Sequence, residues 1–290
     1  MTHKIDPAIR LGELKLKVSS LERSVKFYTD VIGFKVLHQE NNRAHLTVDG
    51  ANTFLVLVEV KDAVIVPPRS ASGLYHFAVL LPTRKDLGVI LRHLIQNNIE
   101  IGQADHLVSE ALYISDPDHN GIEIYRDRPR EEWEWDDAGH VKMATEPIDW
   151  QGILAEGEGE EWSGLPIGTT LGHIHLHVSD LQKSKWFYCD VLGLDIVADW
   201  SLMHALFISA GGYHHHIGMN MWAGIGAPLA PSNGTGLSYY TIEVPDWDNL
   251  GKTLERLREH GISVDEVDEA WHVKDPSGIL VRLVPGKDAA

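Results

Sequence analysis

Apolar and polar residues alternate along Leu14–Val18 and again along Ile174–Val178, which predicts a half-buried strand at each place. A Ser or Asp follows each strand as a capping residue and precedes a helical pattern that contains a Phe-Tyr pair. This pattern ends near Gly33 in one case and Gly193 in the other. Three strand-like segments come after each glycine. Both places therefore predict a βαβββ unit.

Two more strands, His76–Leu81 and Tyr239–Val244, each precede a helical pattern with leucines three or four residues apart. Further strands then surround an Asp-Pro turn, which lies at Asp116–Pro117 and again at Asp275–Pro276. The third unit aligns with the first without a gap, and the fourth matches the second. The chain is therefore a duplicated half, and we predict an α+β fold of four βαβββ units.

The repeats divide the chain into a first domain over 10–128, a connector over 129–168 and a second domain over 169–286. The connector is rich in Trp, Glu and Gly, and its apolar residues show only weak periodicity. We interpret it as a plain linker between the two halves. A short helix over Ile148–Leu154 is the alternative.

The composition of the chain argues against membrane and nucleic-acid partners. No apolar run among the 290 residues approaches the roughly 20 residues that span a bilayer. The net charge of −17 disfavours binding to nucleic acid and to anionic membranes. The N-terminus lacks the pattern of a secretion signal, and the single cysteine, Cys189, fits a reducing compartment. We therefore expect a cytoplasmic monomer or homo-oligomer with no nucleic-acid or membrane partner.

The pattern FY-x-D-V-[IL]-G occurs at Phe27–Gly33 and at Phe187–Gly193, and the segment DPDHNGIEIY covers Asp116–Tyr125. With the paired units, these motifs resemble the vicinal oxygen chelate superfamily. Its members include glyoxalases, extradiol ring-cleaving dioxygenases, fosfomycin-resistance enzymes and bleomycin-binding proteins. The resemblance covers nearly the whole chain outside the connector, and it implies two half-open barrels. This fold hosts many chemistries, often around a divalent metal.

The superfamily takes its metal ligands from the first strand of one unit and from the first and last strands of the partner unit. The matching positions here are Glu13, His76 and Glu123 in the first half, and His173, Tyr239 and Arg282 in the second half. Arg282 has no lone pair to donate and repels a cation. The second and third units together do offer His76, Glu123 and His173. We therefore predict that these two units pair and hold one metal, and that the outer pair is a lapsed site. A metal held by His173 and His216 within the second half is the alternative.

The same resemblance suggests groups for proton transfer. In extradiol enzymes a histidine on the strand that here includes His214–Trp222 lies beside the metal and moves protons between substrate and oxygen. His216 is the best match, and a shift of one residue in the alignment would give this role to His215. Tyr113 stands ten residues before Glu123, as the family's pattern expects, and would hydrogen-bond the substrate. His106 is two residues closer to this tyrosine than in the usual pattern.

Two histidines and one carboxylate form the facial triad typical of iron(II), with manganese(II) as the other possible ion. The sequence is most similar to bacterial extradiol dioxygenases of the catechol 2,3-dioxygenase type. Our hypothesis is an extradiol ring-cleaving dioxygenase whose partners are a small aromatic diol and O₂. One alternative is a glyoxalase-type isomerase, which usually has a fourth, carboxylate ligand on the strand that includes His214–Trp222, where this chain has none. The other is a metal-free binding or resistance protein, which would not need the three ligands.

Overall fold

The computed structural model describes residues 4–137 and 139–286, and each of the four units supplies four strands. The strands are β1 (Arg10–Val18), β2 (Lys35–Glu40), β3 (Arg43–Thr47), β4 (Thr53–Glu59), β5 (Gly73–Leu80), β6 (Gly102–Asp105), β7 (Ser109–Ser115), β8 (Gly121–Asp127), β9 (Thr170–His177), β10 (Asp195–Trp200), β11 (Ala205–Ser209), β12 (Ile217–Asn220), β13 (Gly236–Val244), β14 (Asp265–Val267), β15 (Ala270–Lys274) and β16 (Leu280–Pro285). The predicted α+β arrangement of four βαβββ units is thus confirmed.

One helix lies in each unit, and a further helix lies in the connector. They are α1 (Leu21–Phe27), α2 (Arg84–Gln96), α3 (Trp150–Glu156), α4 (Leu181–Lys185) and α5 (Trp247–Glu259). A Ser, Thr or Asp side chain accepts a backbone N–H at the start of every one of them, which satisfies a donor that the helix itself leaves free. The leucines of α2 are buried, and this helix packs against β8. None of the helices described is long and apolar enough to cross a membrane.

The strands form two eight-stranded sheets, and each sheet combines one unit from each half. The terminal sheet has the order β14-β15-β16-β13-β1-β4-β3-β2, so it joins the first and fourth units. The middle sheet has the order β10-β11-β12-β9-β5-β8-β7-β6 and joins the second and third units. The predicted pairing across the halves is confirmed.

A pair of hydrogen bonds ties the two sheets together in the core. The Tyr28 hydroxyl, from the first unit, donates to Asp116 of the second unit at 3.0 Å. The equivalent Tyr188 hydroxyl, from the third unit, donates to Asp275 of the fourth unit at 3.1 Å. Buried hydroxyl and carboxyl groups need such partners. The tyrosine of each Phe-Tyr motif thus bonds to the aspartate of the Asp-Pro motif in the next unit along the chain. The sheets, by contrast, join units from different halves of the chain.

The connector is an ordered part of the fold rather than the plain linker that we favoured from its composition. Its helix α3 covers most of the segment that the sequence offered as the alternative, and Ile153 of this helix is fully buried. Two other connector side chains, Trp133 and Val141, lie in a hydrophobic cluster with Phe207 of β11. Weak periodicity misled the interpretation, because these apolar residues pack singly against neighbouring elements instead of along one face.

Candidate metal centre

Three side chains meet where the middle sheet changes from one half of the chain to the other. In the register of β5 with its two neighbours, Ala78 lies opposite His173 of β9 and also opposite Glu123 of β8. His76 is two residues before Ala78 on β5, so it projects from the same face. The three potential ligand atoms all lie within 4.8 Å of one another. The three residues named from the sequence are therefore adjacent in space.

The strands approach closely enough for this only because a glycine begins β8. A Cβ atom at Gly121 would lie 2.2 Å from the backbone oxygen of Tyr75 and 3.0 Å from the Cβ of His76. Real Cβ atoms essentially never show a contact as short as the first, and the second is tighter than most. The absence of a side chain at Gly121 therefore sets the distance between the strand of His76 and the strand of Glu123.

The donor set of this cluster fits a divalent metal ion. His173 Nε2 donates a hydrogen bond to Glu123 Oε2 at 3.0 Å. His76 Nε2 is also 3.0 Å from that oxygen, but it has no hydrogen-bond partner among the described residues, and all three side chains are buried. Buried polar nitrogens are rarely left unpaired. Imidazole nitrogens that converge on a carboxylate in this way suit iron, manganese or zinc.

The electrostatics keep Glu123 and His173 in the protonation states that bind a metal. Burial raises the pKa of Glu123, but the charge and hydrogen bond of His173, with the charge of His76, outweigh it and hold this pKa well below its ordinary value. Burial lowers the pKa of His173, although Glu123 opposes the change. An ionised carboxylate and a neutral imidazole are the forms that donate lone pairs to a cation.

A cavity of about 380 Å³ lies beside the cluster and is lined by His76 and Glu123. Most of the other lining side chains are apolar or aromatic, and they include Tyr75, Val108, Met143, Trp200, Phe207 and Trp222. The sequence reading assigned no role to these residues. Trp200 ends β10, and Trp222 lies two residues after the end of β12. Their place at the ends of strand-like segments is the signal that would have identified them.

The structure brings His215, and not His216, to this cavity. The ring of His215 lies against that of His173, with 4.1 Å between centroids, and it lines the cavity wall. His216 instead lines a separate cavity with Gly12 and Tyr213, and its Nδ1 accepts the N–H of Ala210 at 3.3 Å. Burial lowers the pKa of His216 to about 4.

The choice of His216 assumed that the family's strand, and the alignment to it, extend through the whole histidine run. In the structure β12 begins only at Ile217, so the three histidines precede the strand and strand geometry does not apply to them. The alternative in which His173 and His216 hold a metal within the second half is likewise not the arrangement found. His216 is not in the group of potential ligands formed by the described residues.

A chain of three hydrogen-bonded groups fixes the tautomer of His215. Nε2 of His214 is 2.8 Å from Asp127 Oδ1, and Nδ1 of His214 is 2.9 Å from Nδ1 of His215. A carboxylate only accepts, so His214 donates to Asp127 from Nε2 and accepts at Nδ1. His215 must then donate from Nδ1, which leaves its Nε2 with a lone pair.

Tyr113 and His106 form a second hydrogen-bonded pair at the cavity. His106 Nδ1 donates to the backbone oxygen of Ala144 at 2.7 Å, so its Nε2 accepts the Tyr113 hydroxyl, also at 2.7 Å. Burial, with the nearby charge of Glu123, raises the pKa of Tyr113 well above its ordinary value. The phenol therefore stays neutral and offers its oxygen lone pairs to the cavity.

In the terminal sheet, the positions that correspond to the three clustered residues hold a glutamate, a tyrosine and an arginine. The Tyr239 hydroxyl donates to Glu13 Oε1 at 2.5 Å, and a guanidinium nitrogen of Arg282 is 3.6 Å from the same oxygen. Glu13 thus has a hydrogen-bond donor and a cation as partners within the protein. Among the described residues, His76, Glu123 and His173 form the one group of side chains placed to share a metal ion.

The comparisons with known proteins agree with this fold. Residues 10–124 and 170–283 match the model of the Glyoxalase/Bleomycin resistance protein/Dioxygenase superfamily. These segments cover most of the chain, which therefore belongs to this superfamily.

One protein of known sequence and two solved structures illustrate the similarity. The chain is 52% identical over 275 residues to the catechol-2,3-dioxygenase of Bacillus subtilis (strain 168), a match that spans 94% of this chain and 96% of that protein. A crystal structure of a Bacillus subtilis subsp. subtilis str. 168 protein matches with a TM-score of 0.67 at 12% identity, over 99% of this chain and 87% of that one. Glyoxalase I from Zea mays matches with a TM-score of 0.57 at 17% identity, over 96% and 92%. At such low identity the two solved structures show the fold alone.

Proposed function

We propose that this protein is an extradiol dioxygenase, which opens the ring of a catechol-like diol beside its two hydroxyl groups and incorporates O₂. The observation that supports this most directly is the cluster of His76, Glu123 and His173 within 4.8 Å, next to an apolar cavity that accommodates an aromatic ring. The 52% identity to a catechol-2,3-dioxygenase over nearly the whole chain supports the same reaction.

We assign the metal to these three residues and take it to be iron(II), with manganese(II) as the other ion that such a donor set binds. When bound, the ion supplies Lewis acidity and passes electrons between the diol and dioxygen. The absence of any carboxylate in β12 supports a dioxygenase over a glyoxalase-type isomerase, which usually takes a fourth ligand from that strand. The buried, converging ligands argue against a metal-free binding protein.

We assign proton transfer to His215 rather than His216. The hydrogen bonds from His215 through His214 to Asp127 leave Nε2 of His215 free to accept a proton from a substrate hydroxyl. Burial holds the pKa of His215 well below its ordinary value, so the imidazole is neutral and able to act as a base. The carboxylate of Asp127 stabilises the positive charge that follows, as a carboxylate–imidazole pair does in other enzymes.

Tyr113 would orient the substrate. Its hydroxyl proton is directed at His106, so its oxygen accepts a hydrogen bond from a diol hydroxyl that lies near Glu123 and His76. Because this phenol resists ionisation, it does not compete with the substrate to lose a proton. A hydrogen bond of this kind orients the ring before the reaction, and such orientation raises the rate.

The test is metal content and ring cleavage measured on the same samples. Protein reconstituted with iron(II) under anaerobic conditions should retain about one iron per chain, and catechol with oxygen should then give a yellow ring-cleavage product. His76→Ala and Glu123→Ala should lose both iron and activity. Arg282→Gln, at the position in the terminal sheet that corresponds to Glu123, is the matched control and should lose neither.

Two outcomes would contradict the proposal in different ways. If wild-type protein does not retain iron or manganese after reconstitution, the metal site is wrong. If it binds the ion but cleaves no diol, the metal site stands and the dioxygenase assignment is wrong.

A further inference from the structure

The cavity beside the metal centre has one wall made largely of apolar side chains. Ala104 of β6, Val108 and the connector residue Met143 face the aromatic rings of Trp200 and Phe207, which contact each other edge to face at 5.0 Å. Val108, Phe207, Met143 and Trp200 belong to a hydrophobic cluster separate from the main core. This wall is therefore part of a packed apolar surface.

The volume of the cavity exceeds the needs of a single ring. An apolar cavity of roughly 150 Å³ is enough to bind benzene, whereas this one measures about 380 Å³. Apolar pockets bind most tightly when the ligand covers their walls, since affinity follows the apolar area removed from water. The remaining space fits a substituent of several carbon atoms on the diol ring.

An exposed turn with two apolar side chains lies next to one residue of the cavity lining. The indole N–H of Trp222 donates to the backbone oxygen of Met203 at 2.9 Å, which places the turn Ser201–Met203 beside this lining residue. Met203 and its neighbour Leu202 are exposed, at 56% and 100%.

The charges around the cavity disfavour an anionic substituent. None of the described residues that line it is Lys or Arg, and the one carboxylate among them is Glu123. Both ring nitrogens of His106 are already hydrogen-bonded. The nearby Arg128 is paired with Asp105, and Arg126 with Glu110. A carboxylate at the substituent end of the ring would have no Lys or Arg among these lining residues to pair with, and burying an unpaired charge is costly.

From the size, walls and charge of this cavity we infer that the preferred substrate is an uncharged catechol with an apolar substituent of several carbons, and that ring diols with a carboxylate are excluded. This inference rests on the proposed function and specifies its substrate class. It does not depend on which metal is bound.

A set of three diols tests the inference by turnover. We expect kcat/KM for 4-tert-butylcatechol to exceed that for catechol by about tenfold, because the added carbons become buried. 3,4-Dihydroxybenzoate places a carboxylate at the same ring position. We expect its kcat/KM to be at least about tenfold lower than that of catechol. Equal or better cleavage of the carboxylated diol would overturn the inference while leaving the dioxygenase assignment intact. If none of the three is cleaved by iron-loaded protein, the proposed function itself fails.

Binding to metal-free protein gives a readout that needs no turnover. The indoles of Trp200 and Trp222 line the cavity, so an occupant should change the tryptophan fluorescence. We expect 4-tert-butylphenol to bind and 4-hydroxybenzoate to leave the fluorescence unchanged. Binding of both compounds with similar affinity would contradict the proposed selectivity of the walls.

A single added charge should reverse this preference. Met143→Arg places a cation in the cavity wall and should allow 4-hydroxybenzoate to bind, while it weakens binding of 4-tert-butylphenol. Ile95→Arg adds the same charge on α2, at an exposed position outside the cavity lining, and is the matched control. If Met143→Arg still binds only the alkylphenol although it is folded, charge in the wall does not determine selectivity.

Discussion

Asp275 offers a quantitative test of how the core joins the third and fourth units. This carboxyl is 4% exposed. One oxygen accepts the backbone N–H groups of Ser277 and Ile279, each at 2.8 Å, and the other accepts the Tyr188 hydroxyl at 3.1 Å. Burial outweighs these hydrogen bonds and raises the pKa of Asp275 from 3.8 to about 6. The folded protein therefore binds this proton more tightly than the unfolded chain does.

The sign of the effect on stability follows from proton linkage. The contribution of protonated Asp275 to the free energy of unfolding is fully present below pH 3.8 and is lost as the pH rises through 6. A shift of about two pKa units corresponds to about 3 kcal/mol over the whole window, and roughly 2 kcal/mol of this falls between pH 4 and pH 7. Asp275→Asn cannot ionise, so it removes this dependence on pH.

Urea unfolding of wild type and Asp275→Asn at several pH values measures the prediction. The stability of wild type minus that of the variant should fall by roughly 2 kcal/mol between pH 4 and pH 7. Asp265→Asn, at an exposed position on β14, controls for the loss of a carboxyl group without the loss of a buried one. A difference for Asp275→Asn that is constant with pH would refute the reasoning that burial dominates at this residue.

Two other substitutions test the metal centre. His215→Asn should lower kcat by about 10²–10⁴-fold with iron content unchanged, whereas His216→Asn should leave kcat near that of wild type. The reverse result would restore the assignment to His216 that the family resemblance favoured. Gly121→Ala should lower both the Tm and the retention of iron, because the new Cβ would lie 2.2 Å from the Tyr75 carbonyl oxygen and push β8 from β5. Gly251→Ala, where an added Cβ meets nothing within 4 Å, is its control, and similar iron loss in both would show that the close approach at Gly121 is not needed.

The sequence was sufficient to predict the units, their pairing and the three clustered residues. Alternation at Leu14–Val18 and Ile174–Val178, with the repeated motifs, established the units. The asymmetry between His76 and its counterpart Tyr239, and between Glu123 and Arg282, then indicated which units face each other. These inferences succeeded because strand residues keep a fixed direction once the register is given.

Features outside regular strands could not be predicted in the same way. The side chain that reaches the cavity, His215 or His216, depends on loop dihedral angles before β12, and no periodicity describes these. The cavity wall combines Val108 with Met143 and Trp200, which come from the second unit, the connector and the third unit. Their proximity arises only when the half-barrel closes and the connector folds across it, so composition and local pattern gave no sign of it.

The terminal sheet retains the geometry of the middle sheet, and its loss of ligands is therefore a matter of side chains. Thr241 lies opposite Arg282 in the register of β13 with β16, just as Ala78 lies opposite Glu123. Tyr239 precedes Thr241 by two residues, as His76 precedes Ala78, and Glu13 falls in the irregular stretch of β1 that faces this position. If the backbones are equivalent, introducing the missing ligands should restore a site.

The variant Glu13→His, Tyr239→His and Arg282→Glu should accordingly bind a second iron or manganese ion per chain, since it supplies two imidazoles and a carboxylate and removes the cation. The measurement is metal stoichiometry by elemental analysis after reconstitution and desalting. Arg282→Glu without the other two changes is the control, because it removes the positive charge but adds no imidazole, and it should keep the stoichiometry of wild type. A folded triple variant that binds no additional ion would show that the irregular pairing of β1 with β13 places the new ligands too far apart, and the loss would then lie in the backbone.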